Sequence, residues 1–190
     1  MEHLAAGRAA PLSPVPTQVT PATVADLSDL ADVAARTFPL ACPPSATAAN
    51  VADFIAANLS RERFAGYLDD SAREVLVGRD GHRIVGYAML VDGVGDDEDV
   101  RRAVPLLPAM ELSKMYVLPD AHGAGAAAAL MTAALDRSRD RGNVATWLGV
   151  NQDNQRAQRF YSKHGFLITG TKTFRLGAGV ENDYVMLRRG

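Results

Sequence analysis

The run Val117-Leu-Pro-Asp-Ala-His-Gly-Ala-Gly-Ala-Ala127 has the residue types of an anion site. An apolar strand, Met115-Tyr116-Val117, is stopped by Pro119, and Gly123 and Gly125 then open an alanine-rich helix. The first N–H groups of a helix have no intrahelical acceptor, and the helix dipole places partial positive charge beside them. Glycine lets a phosphate come close to the backbone. The residues that would do this are His122, Gly123, Ala124, Gly125, Ala126 and Ala127, and the ligand they imply carries phosphate. Taken alone, the same stretch also reads as a plain loop into a helix.

The elements that must position this loop follow from pattern. Thr17–Thr20 reads as a short strand, and Thr23 as the cap of a helix with Leu27, Leu30, Val33 and Ala34 on its apolar face. Pro39, Pro43 and Pro44 make a rigid loop. Val51, Phe54, Ile55 and Leu59 mark a second helix, and Phe64, Tyr67 and Leu68 a third. Glu74–Gly78 and Arg83–Val91 are strands joined at Asp80-Gly81, a hairpin signal. Asp92–Asp99 is an acidic loop. Then come a strand over Met110–Leu118, a helix over 123–140, a strand over Ala145–Val150 and a helix over Asn154–His164 ended by Gly165. Phe166–Arg175 and Tyr184–Arg188 close the chain as strands, with Gly177 and Gly179 in the turn between them. Residues 1–16, rich in proline, alanine and glycine, read as a mobile tail, and 17–190 as one domain.

Composition narrows the function classes. A net charge of −2 carries no nucleic-acid footprint. No run of about 18 apolar residues calls for a membrane span. The lone Cys42 excludes an internal disulfide framework, and His3, His82, His122 and His164 lack metal-ligand spacing, so no metal is expected. The lone cysteine fits a reducing cytoplasm, and the N-terminus lacks the charged-then-apolar pattern of a signal peptide.

A second segment changes the weight of the first. Trp147-Leu-Gly-Val-Asn151-Gln-Asp-Asn154-Gln-Arg-Ala-Gln-Arg-Phe160-Tyr161-Ser-Lys-His-Gly-Phe166 follows it at the spacing of a strand and a helix. Together they resemble the GCN5-related N-acetyltransferase superfamily, over roughly residues 15–190 and most strongly over Glu111–Phe166. That family's loop carries Gln or Arg, two arbitrary residues, Gly, one more, then Gly or Ala. Gly125 and Ala127 match, whereas His122 stands where Gln or Arg is usual. An imidazole there contributes less charge than Arg and makes phosphate affinity sensitive to pH near neutrality. The C-terminal Phe174–Met186 segment further resembles the branch of PaiA-type acetyltransferases of polyamines and small molecules.

The resemblance implies a mixed α/β domain whose mostly antiparallel sheet splays between Met110–Leu118 and Ala145–Val150 to admit acetyl-CoA. The backbone of Met115, Tyr116 and Val117 would bind the pantetheine arm as a further strand, and supply an N–H to the developing oxyanion. Asn151 and Asn154 lie where the strands diverge, and Asn154 offers the arm a donor and an acceptor. Tyr161 would protonate the leaving thiolate. Glu111 would relay the amine proton through water; strict alternation puts it on one face with Ser113, Met115 and Val117. The partner is a small-molecule primary amine, attacked directly in a ternary complex. Homodimers are frequent among such relatives.

Plainer readings stand beside these. Tyr161 could be a core aromatic next to Phe160, Glu111 a solvated strand-end carboxylate, and Asn151 a strand-end cap. Trp147 and Leu148 read as core, and Cys42 as a buried small residue. Asp96-Asp97-Glu98-Asp99 reads as a solvated flap or an attractor of cationic amine, its field partly cancelled by Arg101 and Arg102. The rival functions are a non-catalytic acyl-CoA-binding sensor and a protein or peptide N-acetyltransferase. The long 39–72 and 92–109 segments look able to wall off the pocket, which favours a small acceptor.

Overall fold

The computed structural model describes residues 16–123, 125–177 and 179–190. The expected tail, save Pro16, and the expected phosphate-loop residue Ala124 lie outside the described residues. Strands β1 (Gln18–Pro21), β2 (Arg73–Asp80), β3 (Arg83–Asp92), β4 (Ala109–Val117), β5 (Ala145–Asn151), β6 (Leu167–Leu176) and β7 (Gly179–Arg189) form one sheet in the order β1-β2-β3-β4-β5-β7-β6. All neighbours are antiparallel except β4 and β5. Helices α1 (Leu27–Thr37), α2 (Ala48–Asn58), α3 (Arg61–Asp69), α4 (Glu98–Ala103), α5 (Ala126–Asp140) and α6 (Gln155–Lys163) flank it.

Alternation along the strands explains the two cores. Val75 and Val77 pack with Tyr87, Leu30, Val33 and Phe64 on one face. Leu76, Ala88 and Leu90 pack with Leu130, Met131 and Ala134 of α5 on the other. Because helices cover both faces, β2 and β3 read as apolar throughout their middles. Trp147 and Leu148 are core, as expected, and the Trp147 indole N–H donates to the Gly93 carbonyl at 2.9 Å.

The sheet splits where the resemblance requires it. β4 and β5 share only the pairs Ala109↔Ala145, Met110↔Thr146 and Glu111↔Trp147. Beyond them β4 continues to Val117 against β3, while β5 continues to Asn151 against β7. Just past the last shared pair β4 carries a bulge: Met89 faces Lys114 and Leu90 faces Leu112, so Ser113 is the extra residue. A bulged strand bends and twists more strongly, which turns β4 away from β5.

Four expectations change. The bulge resets alternation: Met110 and Leu112 share the α5-side core with Met115 and Val117, whereas Glu111 opens with Lys114 and Tyr116 into a cavity on the opposite side. The expected common face for Glu111 and Met115 is therefore wrong. The helix expected from 123 begins at Ala126, because Gly123 (φ 86°) and Gly125 (φ 82°) sit in the left-handed region. The acidic stretch ends in α4, capped by Asp97, whose carboxylate accepts from the N–H of Asp99 at 2.9 Å and of Val100 at 3.3 Å. Finally, β7 begins at Gly179, where a turn was expected, because Val180–Asp183 pair residue by residue with β6.

Candidate active site

Two cavities lie along the split. The first is a groove of about 200 Å³ beside the free part of β4, lined by Met115, Tyr116, Val117, His122, Ala127, Asn154 and Tyr161, with Thr37, Leu40 and Ala41 from the opposite wall. Beyond Glu111 the β4 edge has no β5 partner, so its peptide groups can pair with an extended ligand. The head of α5 closes one end. Its first N–H groups have no intrahelical acceptor, and a Cβ placed on Gly123 or Gly125 would meet nothing within 4 Å, so a ligand can approach this backbone freely. Ala126 contributes only backbone, since its methyl is buried against Val85 and Ala121.

Asn154 caps α6. Its side-chain oxygen accepts from the Ala157 N–H at 3.0 Å, which leaves the amide N–H groups and one oxygen lone pair for a ligand. Tyr161 packs edge-on to Phe160 and Phe166. Its hydroxyl has no hydrogen-bond partner among the described residues, and burial raises its pKa to about 12. A phenol in that state is a proton donor across the neutral range. His122 bonds through Nε2 to the Val117 carbonyl at 3.1 Å and through Nδ1 to Arg156 Nη2 at 2.9 Å. The guanidinium can only donate, so Nδ1 accepts and the proton sits on Nε2. Arg156 thus supplies beside the loop the cation that position 122 lacks. Sequence reasoning missed it, although its place two residues after the Asn154 cap was the available signal.

The second cavity, about 260 Å³, is lined by Phe38, Cys42, Glu111, Lys114, Tyr116, Asn151, Lys172, Glu181 and Asp183, among others. Ala41 and Tyr116 line both spaces, so they meet there. Asn151, expected at the ligand arm, faces this second cavity and not the groove. Its side-chain oxygen accepts from the Asp153 N–H at 2.9 Å. Burial pushes Glu111 above the ordinary carboxylate range against the pull of Lys172 and Lys114. Burial also draws Lys114 down against Glu111. Asp183 is raised by burial and eased by Lys172. The same effect raises Tyr116, with neighbouring Tyr161 adding to it. Sequence reasoning gave no site role to either lysine, to Glu181 or to Asp183, and strict alternation puts Lys114 on the face opposite Glu111.

Two lesser expectations find their place. Cys42 is half-buried on the cavity wall; its thiol donates to the Phe38 carbonyl at 3.4 Å, and burial raises its pKa, which keeps it a thiol. The acidic run pairs locally: Arg101 reaches Asp96 at 2.5 Å and Arg102 bonds Asp99. None of these acids lines either cavity. The wall is built by Phe38–Pro43 and not by 92–109.

A sheet split beside a glycine loop, with a capped helix carrying a free phenol, is the layout of the GNAT fold. The sequence pattern of the acetyltransferase (GNAT) family matches residues 35–166, and the chain belongs to that family. An uncharacterised N-acetyltransferase of Mycobacterium tuberculosis (strain ATCC 25618 / H37Rv) is 59% identical over 156 residues, 82% of this chain and 92% of its own length. Among solved structures, the PaiA N-acetyltransferase of Thermoplasma acidophilum in complex with coenzyme A superposes with a TM-score of 0.73 at 17% identity. That match covers 93% of this chain and 100% of that one. YncA of Salmonella typhimurium with acetyl-CoA gives 0.60 at 17% identity, covering 92% and 94%. At such identities the likeness is one of fold. Among the described residues, no helix is long and apolar enough to cross a membrane.

Proposed function

We propose that the chain transfers the acetyl group of acetyl-CoA to the primary amine of a small molecule, by direct attack in a ternary complex. The observation that carries this reading is the meeting of two unlike cavities at Tyr116: a groove along an unpaired strand edge, and a charged chamber. The family supports acyl transfer, and the coenzyme A- and acetyl-CoA-bound neighbours support the donor. A chamber of about 260 Å³ suits a compact acceptor. It falls below the usual range for drug-sized ligands, and a peptide would need an open channel.

Bound in the groove, acetyl-CoA supplies an activated carbonyl. Met115, Tyr116 and Val117 align its arm through their backbone, and an N–H of this strand meets the charge that develops on the carbonyl oxygen. Arg156 and the α5 N-terminus face the phosphates. Glu111, made more basic by burial, takes the first proton of the substrate ammonium through water, leaving a neutral nitrogen. As the N–C bond forms and the C–S bond breaks, Tyr161 gives its hydroxyl proton to sulfur. The second nitrogen proton then restores the phenol through solvent. Cys42, held as a thiol, takes no part.

Thiol release measured over an amine panel tests the reading. Turnover is expected on at least one amine, and Tyr161→Phe should lower kcat about a hundredfold at saturating acetyl-CoA. Acetyl-CoA binding with no thiol release on any amine would instead favour a sensor. Full turnover by Tyr161→Phe would remove the acid role.

A further inference from the structure

The second cavity is not an anionic pocket. It holds carboxylates at Glu111, Glu181 and Asp183 and ammonium groups at Lys114 and Lys172. Glu181 is engaged, accepting from the Ser45 hydroxyl at 2.9 Å. The other four ionisable groups enter none of the ion pairs formed among the described residues. Placing charge in a secluded chamber is costly unless a partner answers it.

The sequence makes room for this arrangement. Lys172 stands across from Asp183 in the β6–β7 register, and Asn151 across from Asp183 in the β5–β7 register. A Cβ on Gly149 would lie 2.5 Å from Lys172 Cε, so a side chain there would push the end of the lysine aside from its path over β5. The same point lies 3.4 Å from Lys172 Nζ and 3.3 Å from Asp183 Oδ2. Opposite charges are thus brought over one spot of the floor. On β4 the bulge at Ser113 turns both Glu111 and Lys114 into the same chamber.

We infer that the acceptor is a zwitterion: a compact molecule carrying a primary amine and a carboxylate, of the amino-acid class. This rests on the acetyl-transfer reading above. The amine faces Glu111 and Asp183, and the carboxylate is taken by Lys114 and Lys172. Each ligand charge then answers charges that feel one another across the chamber but close no ion pair among the described residues. A polyamine fits worse, because its second ammonium would meet the two lysines. An amino sugar, cationic but without a carboxylate, would leave them unanswered.

Matched acceptors that differ only by a carboxylate decide it: L-leucine against isoamylamine, L-phenylalanine against phenethylamine, L-lysine against cadaverine, and 5-aminopentanoate against butylamine. With acetyl-CoA saturating, the acid of the best-used pair should exceed its decarboxylated partner at least tenfold in kcat/KM. Lys172→Met and Lys114→Met should each shrink that ratio severalfold, chiefly through KM. A decarboxylated partner used as well or better, or a ratio unmoved by both variants, would overturn the inference. Absence of thiol release from every compound sinks the acetyl-transfer reading instead. Calorimetry of the same pairs on the coenzyme A complex then still decides the charge question. Acids binding at least tenfold tighter uphold it, and equal or undetectable binding refutes it.

Discussion

The groove and the charged chamber share Tyr116 and Ala41 yet are built from opposite materials. In the groove the ligand-facing groups are mostly peptide N–H and C=O groups and methyls, with one cap, one phenol and the exposed His122–Arg156 pair. In the chamber they are ionisable side chains drawn from β4, β6 and β7. Backbone recognition suits a ligand that never varies, such as a coenzyme, because it needs only the right path of the chain. Side-chain recognition suits an acceptor that distinguishes one enzyme from another. The two should therefore be separable by mutation, and the sharpest test is whether changes on one side leave the other's constants untouched.

The largest effect is expected in the chamber. Glu111→Gln should lower kcat about a hundredfold, as loss of a general base does, with acetyl-CoA affinity by calorimetry unchanged. The pH profile carries the sign. Burial raises the Glu111 pKa above that of an ordinary glutamate, and the base works only when ionised. The native rate should therefore fall as pH drops through a value above the ordinary carboxylate range. The variant should lose that limb. A variant that weakened acetyl-CoA as much as it slowed turnover would break the division between the cavities.

Next comes the groove. Gly125 caps α5 at φ 82° in open space. A side chain there pays for a left-handed backbone, about 1–2 kcal/mol for an L-residue, and also covers the approach to the helix N-terminus. In Gly125→Val the strain lowers stability alone. The covered approach should weaken acetyl-CoA binding about tenfold or more by calorimetry, the loss of roughly one hydrogen bond to a charged group, about 1.5 kcal/mol. The variant's preference among acceptors should remain that of the native chain. Unchanged affinity would refute the phosphate-loop assignment.

The same contrast explains what could be read from the chain alone. The groove was legible because its parts are contiguous. Val117–Ala127 and Asn151–Tyr161 each pack loop, cap and helix into about a dozen residues, and local rules govern them. Even the three-residue error at the start of α5 came from glycines whose left-handed φ only the structure reveals. The chamber was not legible, for two reasons. Its charges come from strands far apart in sequence. And Gly179–Asp183, poor in strand formers, looked like a turn, whereas pairing to β6 and β5 holds it in the sheet and brings Glu181 and Asp183 inward. Lys114 was hidden by a single-residue bulge, because alternation counted through Ser113 assigns every later side chain to the wrong face.

The smallest effects sit at Arg156 and its neighbour His122, where the two styles of recognition mix. Arg156 is a side-chain cation in a groove that otherwise binds mainly through backbone, held by His122 at 2.9 Å. Both residues are exposed, so the charge acts through screened solvent. An exposed pair contributes about 0.2–1 kcal/mol, which makes Arg156→Ala a loss of roughly fivefold or less in acetyl-CoA affinity. Screening also separates it from Gly125→Val. Raising the ionic strength should erase the difference between Arg156→Ala and native protein, because interactions beyond about 8–10 Å fade at moderate salt. It should leave the Gly125→Val defect in place, since a side chain that covers the helix N-terminus does so at any salt. His122→Ala should give a smaller, equally salt-sensitive loss, because it removes the support of the guanidinium and not the charge. Should Arg156→Ala prove as damaging as Gly125→Val, and remain so in high salt, the groove would depend on a side chain as much as the chamber does.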